Sequence, residues 1–102
     1  MAKWMIRCKN TPQFWALPSV ERIRIVEASI KTLRADMDAG LIKDWGWNAD
    51  NGEGYCIMEG TEAQMYEWSV KYSAYVSFEA KPVVSLPLVS ELMKKRAAVI
   101  RQ

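Results

Sequence analysis

Histidine is absent from this sequence, and its absence excludes more chemistry than any other feature. Its ordinary pKa lies nearest neutrality, so Ser-His-Asp and Cys-His nucleophile arrangements, His-ligated haem and His-containing zinc sites have no residue to build on. Cysteine is almost as scarce. Cys8 and Cys56 are far apart and form neither a CxxC nor a ligand cluster, so zinc ribbons and thioredoxin-like redox motifs are excluded. No metal site and no cofactor are expected, and the sparse thiols suit a reducing compartment. No apolar run reaches the ~18 residues needed to cross a bilayer. The first ten residues carry Lys3, Arg7 and Lys9 and lack the apolar centre and small-residue cleavage site of a secretion signal. A cytoplasmic protein with no membrane partner is the expectation. An excess of one charge is missing too, because 14 Lys and Arg stand against 12 Asp and Glu for a net +2, too little to grip a phosphate backbone. Nucleic acid is therefore not an expected partner.

What remains is ordinary globular material: 102 residues, half of them hydrophobic and a quarter charged. That length supports one core and no second lobe, so residues 1–102 read as a single domain. Lys3 to Cys8 alternates Trp4, Ile6 and Cys8 against Met5 and Arg7, a strand halted by Asn10, Thr11 and Pro12. From about Pro18 to Ala39, Val20, Ile23, Val26, Ile30, Leu33 and Met37 recur at steps of three or four, which predicts a long helix closed by Gly40. Leu41 to Trp47 alternates again, with Leu41, Lys43, Trp45 and Trp47 on one side and Ile42, Asp44 and Gly46 on the other. Turn formers Asn48, Asp50, Asn51 and Gly52 then lead into a strand over Gly54 to Glu59, predicting a hairpin. The unbroken run Tyr55 to Met58 predicts a strand inside the sheet and covered on both faces. Thr61 with Gln64 forms a capping box for a shorter helix ending near Ser73. Val76 to Leu86 reads extended, with Pro82 confining it to an edge strand or a bulge, and Val89, Leu92, Met93, Ala97 and Ile100 predict a last helix.

The order strand, helix, strand, strand, helix, strand, helix is that of an α+β, ferredoxin-like βαββαβ sandwich with an added C-terminal helix. Such a unit covers one sheet face with helices and leaves the other to water. Here Trp4, Ile6, Trp45, Trp47, Val76 and Phe78 form one apolar list, while Met5, Ile42, Cys56, Met58 and Val83 or Val84 supply another of opposite parity. Covering both calls for a twofold copy packed sheet to sheet, or for the C-terminal helix folding back over the open face.

Three stretches carry a resemblance: Ile42-Lys43-Asp44-Trp45-Gly46, then Glu53-Gly54-Tyr55-Cys56-Ile57-Met58-Glu59-Gly60-Thr61-Glu62-Ala63, then Tyr75-Val76-Ser77-Phe78-Glu79-Ala80-Lys81-Pro82-Val83. Together they resemble the domain-of-unknown-function family numbered 3303, which is similar to the dimeric α/β-barrel proteins. The resemblance covers residues 40–86 and rests on small and aromatic residues, without a catalytic signature. It implies a dimeric α/β barrel. Members of that wider group include cofactor-free monooxygenases, muconolactone-type isomerases, haem-degrading enzymes and ligand-binding regulators, so fold alone selects no activity.

Candidate site residues follow from the same reading. Arg7 and Glu79 fall in strands that would be neighbours, where they could orient an anion and move a proton or serve as a structural cross-strand ion pair. Trp45, Trp47, Tyr55, Tyr66, Trp68 and Tyr72 supply most of the aromatic surface. Trp45, Trp47, Tyr55 and Tyr66 are the candidate contacts for a small apolar or aromatic ligand, the alternative being core and dimer interface. Cys56, with no histidine to activate it, reads as an inert buried thiol. Gly54-Tyr55-Cys56-Ile57 matches an RNA-stacking motif only in part, since Glu53, Ile57 and Gly60 stand where its basic and later aromatic residues belong. The expected function is a homodimeric binding or scaffold module that holds a small apolar or aromatic molecule or simply offers a partner surface; the alternative is a cofactor-independent isomerase or monooxygenase.

Overall fold

The computed structural model describes residues 2–50, 52–72 and 74–101, so Asn51 and Ser73, expected in the hairpin turn and at a helix end, lie outside the described residues. Eight elements run in the order β1 (Ala2–Asn10), α1 (Pro12–Trp15), α2 (Ser19–Asp38), β2 (Ile42–Trp47), β3 (Glu53–Gly60), α3 (Glu62–Val70), β4 (Val76–Val83) and α4 (Leu86–Arg101). The strands make one antiparallel sheet ordered β2-β3-β1-β4. This α+β arrangement is consistent with the ferredoxin-like order, with β3 inside the sheet and the Pro82-bearing β4 at an edge.

Local chemistry accounts for the ends of the elements. Pro18 caps α2, and at its C-terminus Gly40 takes φ 81°, a conformation a side chain disfavours. There the Gly40 amide donates to Met37 and the Leu41 amide to Asp36, closing the helix in a Schellman motif. Thr61 accepts from the Gln64 amide while the Gln64 side chain accepts from the Thr61 amide, completing the capping box. One element is absent from the sequence reading: Thr11 and Pro12 end β1 but also begin α1. The Thr11 hydroxyl accepts from the Phe14 amide and Pro12 occupies the first turn, where its missing N–H costs nothing. Its own donor goes to the Ala74 carbonyl, tying this turn to the approach to β4.

The register corrects the expectation of two apolar faces. Ile6 lies opposite Cys56 and Trp4 opposite Met58, so these four share the helix-covered face rather than opposing parities. A bulge between Ile42 and Asp44 places Ile42, Trp45 and Trp47 on that same face, although alternation separated them. Ile6, Cys8, Ile42, Cys56, Met58 and Met65 are buried there. Of the second apolar list only Met5 and Val83 remain on the open face, joined by Tyr55 and Ile57 amid Arg7, Lys9, Glu53, Glu79 and Lys81. Nor is β3 covered on both sides, because Tyr55 is exposed and Ile57 half-buried.

The last helix does not fold back over that face. From Leu86 to Ile100 every side chain but Ala97 is exposed, and the molecule extends 65 × 26 × 23 Å. Among the described residues no helix is long and apolar enough to cross a membrane.

Candidate functional site

Between α2 and the sheet lies a cleft of about 640 Å³. Its floor is the covered sheet face, where Cys8, Trp45, Trp47 and Phe78 converge. Trp45 and Trp47, two apart on one strand, project to the same side and stack at 6.0 Å with planes 14° apart. The far wall is an aromatic cluster from α3 and the turn after it. Trp68 sits 4.8 Å from Phe78 and 5.3 Å from Tyr72, and Tyr72 lies 5.9 Å from Phe78, tilted or edge-on as ring quadrupoles prefer. α2 forms the near wall with the stripe its periodicity predicts, Ile23, Val26, Ile30 and Leu33. Phe14 and Trp15 of α1 close one end, with the Arg22 guanidinium 5.7 Å above the Trp15 ring.

α2 is tied down at one end of the cleft. Asp36, near the end of α2, accepts a 2.9 Å hydrogen bond from the Trp68 indole and lies 3.4 Å from the Lys71 ammonium. Farther towards the N-terminus the helix rides high: Trp15, Ile23, Val26 and Ile30 line the mouth and are 40–56% exposed. An unfilled apolar cleft with large aliphatic and aromatic walls is the surface a small apolar molecule complements, and its size falls among ligand sites of ~300–1,000 Å³.

Asn10, Ser19, Arg22, Glu27 and Ser29 bring polar side chains to the lining, whereas the thiols and the phenol about the floor and far wall are held protonated. Burial pushes the Cys8 thiol up to about 11 and the Cys56 thiol up to about 12, the latter with lesser contributions from Cys8, Asp36 and Asp44. Both are protonated at neutral pH, and neither is a nucleophile. Burial above all, then Asp36, Cys56 and Cys8, also raises the Tyr72 phenol well beyond its ordinary value. The Tyr72 hydroxyl is buried with no hydrogen-bond partner among the described residues. Among those residues no group of three or more acidic or Cys side chains converges on a point where a metal could sit.

Of the residues singled out from sequence, Trp45 and Trp47 line the cleft and Tyr55 and Tyr66 do not. Tyr55 stands on the open face, donating to Asp44 at 2.9 Å, a hydrogen bond that with the carboxylate's charge raises its phenol pKa. Tyr66 projects from α3 and is 73% exposed. Arg7 and Glu79 are cross-strand partners in register and border a hollow of about 260 Å³ on the open face, across the sheet from the cleft. Their ion pairs go elsewhere, Arg7 to Glu53 at 3.4 Å and Glu79 to Lys81 at 3.2 Å, both solvent-exposed and worth little. Phe14, Trp15 and Phe78 were not singled out. Thr11-Pro12 as a helix start was the signal for the first two; only the register of β4 against β1 brings Phe78 opposite Cys8.

Fold and site together define a small antiparallel α+β domain with an apolar cleft under its longest helix and a charged open face. The chain belongs to the family described as a domain of unknown function (DUF3303), whose family model matches residues 4–97. That span takes in every residue lining the cleft and about twice the length over which the sequence resemblance was read. A search of curated proteins finds no match.

Proposed function

We propose that this domain is a binding module whose cleft beneath α2 takes a small, flat apolar or aromatic molecule. The carrying observation is the cleft itself, about 640 Å³ with its floor and far wall built from Trp45, Trp47, Trp68, Tyr72 and Phe78. Those rings offer stacking and edge contacts on two sides, and the polar lining residues Asn10, Ser19, Arg22, Glu27 and Ser29 come from β1 and α2 rather than from the aromatic far wall. Arg7 and Glu79 lie across the sheet from that cleft, which favours binding over the proton-transfer reading of the same domain. A barrel-type dimer would close the open face over Arg7, Lys9, Glu53, Glu79 and Lys81, and desolvating those charges opposes it.

Titration with anilinonaphthalene sulfonate, followed by tryptophan quenching and by competition with a panel of uncharged aromatic compounds, tests the reading. Saturable binding near one probe per chain, with quenching of the cleft tryptophans and at least about a tenfold loss in Ile30→Glu, is expected. No saturable binding by the probe or any aromatic competitor, or binding indifferent to Ile30→Glu, overturns it.

A further inference from the structure

Two apolar surfaces of this molecule are left open, the mouth of the cleft and the face of α4, and they are complementary. At about 100° per residue, Leu88, Leu92 and Val99 form one row along α4 and Val89, Met93 and Ile100 the next, all of them exposed. A helix of this length is marginal in water by itself, and its β-branched Val89, Val99 and Ile100 do not help it. α4 needs a surface to lie on. Its own body does not supply one: only Val84 and Ser85 join it to β4, and among its described side chains all but Ala97 are exposed.

Charge marks where it fits. Arg96 falls between the two apolar rows of α4 and makes no ion pair among the described residues. At the cleft, Glu27 lines the site one helical turn from both Ile23 and Ile30, and it too is unpaired. Arg96 is a single charge between apolar rows, and Glu27 is an acid on a cleft wall whose other charged lining residue, Arg22, lies over the Trp15 ring; the signs of Arg96 and Glu27 are opposite. Lengths agree as well: Val20 to Ile30 runs about 15 Å along α2 and Leu88 to Ile100 about 18 Å along α4, at 1.5 Å per residue.

We propose that a second copy of this chain lays its α4 across the mouth of the cleft, Arg96 opposite Glu27, and receives the first chain's α4 in return about a twofold axis. Pairing α4 with α4 instead would leave the mouth bare and bring the Arg96 rows together. The contact does not depend on the ligand reading; either can fail alone.

Sedimentation equilibrium across a wide concentration range tests it on the full chain. The wild type is expected at twice the mass of one chain. Glu27→Arg and Arg96→Glu should each weaken the dimer about tenfold or more, and the double variant Glu27→Arg/Arg96→Glu should restore it. Leu92→Glu should give a monomer with unchanged circular dichroism from the body of the domain. A wild type that stays monomeric overturns the proposal, as does a dimer indifferent to all three single changes, or charge variants that the double exchange does not rescue. Leu92→Cys paired with Ile30→Cys should cross-link between copies; disulfide formation by Leu92→Cys alone, joining α4 to α4, also overturns it. Probe quenching measured alongside reports the cleft separately, because a monomeric variant that still quenches leaves the binding reading standing.

Discussion

Asp36 ties two helices together through one carboxylate. It sits in the last turn of α2, yet it accepts from the Trp68 indole on α3 at 2.9 Å and meets Lys71 at 3.4 Å. Its value comes from what its loss would leave behind, a buried N–H with no acceptor, which costs about 1–3 kcal/mol. Asp36→Ala should therefore lower the stability of the domain by about 1–3 kcal/mol, whereas Asp36→Asn, which keeps an acceptor oxygen, should lose less; urea denaturation of both measures the difference. Because this bond fixes the closed end of the cleft, Asp36→Ala should also weaken binding of the aromatic probe. Gly54 makes a related point with no side chain at all. It lies opposite Trp47, whose ring covers it, and a Cβ there would run into that ring and the Gly46 carbonyl. The glycine is the space the floor tryptophan needs.

Helices and strands here differ in how far local signals specify them. The capping box of α3 is fully formed, with both reciprocal bonds made. Thr61→Ala removes the side-chain acceptor of the Gln64 amide, and a loss of about 1 kcal/mol in thermal or urea unfolding is expected, with Thr61→Ser near wild type. α2 and α4 are both amphipathic, yet one meets the sheet along part of its stripe and the other stays exposed along nearly all of its described length. Periodicity reports that a helix has an apolar face; it does not report which surface answers it. For β2 even the face is not local. Alternation put Ile42 opposite Trp45, and the bulge between Ile42 and Asp44 returned them to one side.

For the whole molecule, the buried thiols make alkaline stability a readout of the core. A thiol buried in the folded state keeps its proton at a pH where the unfolded chain has lost it, so over that range the folded state binds more protons. Stability from this source is complete below the ordinary thiol value of 9.0, falls as pH rises, and is lost by about 11 for Cys8 and about 12 for Cys56. The slope is about 1.4 kcal/mol per pH unit for each thiol in its window. Urea denaturation at a series of pH values should show this decline above pH 9, and Cys56→Ala, though less stable at neutral pH, should show a shallower one. An equally steep limb in the variant would mean that Cys56 does not titrate with unfolding. Neither thiol should react with iodoacetamide at neutral pH until the domain unfolds.

The sequence alone determined the α+β class, the element order, the edge position of β4, the caps of α2 and α3, and the absence of histidine chemistry. Those follow from periodicity, turn residues and residue inventory, which act over a few residues or over none. It put Trp45 and Trp47 on one face of β2, because two residues two apart on a strand share a side. The rest belonged to the tertiary structure. Alternation assigns faces within a strand but says nothing about which face of the next strand matches it, so only the register could move Cys56 and Met58 in beside Ile6 and Trp4 and leave the open face charged. Alternation already grouped Phe78 with Trp45 and Trp47, but only the register set it opposite Cys8 at the cleft and paired Arg7 with Glu79 on the other face, and only the path of the chain beyond Val83 left α4 exposed.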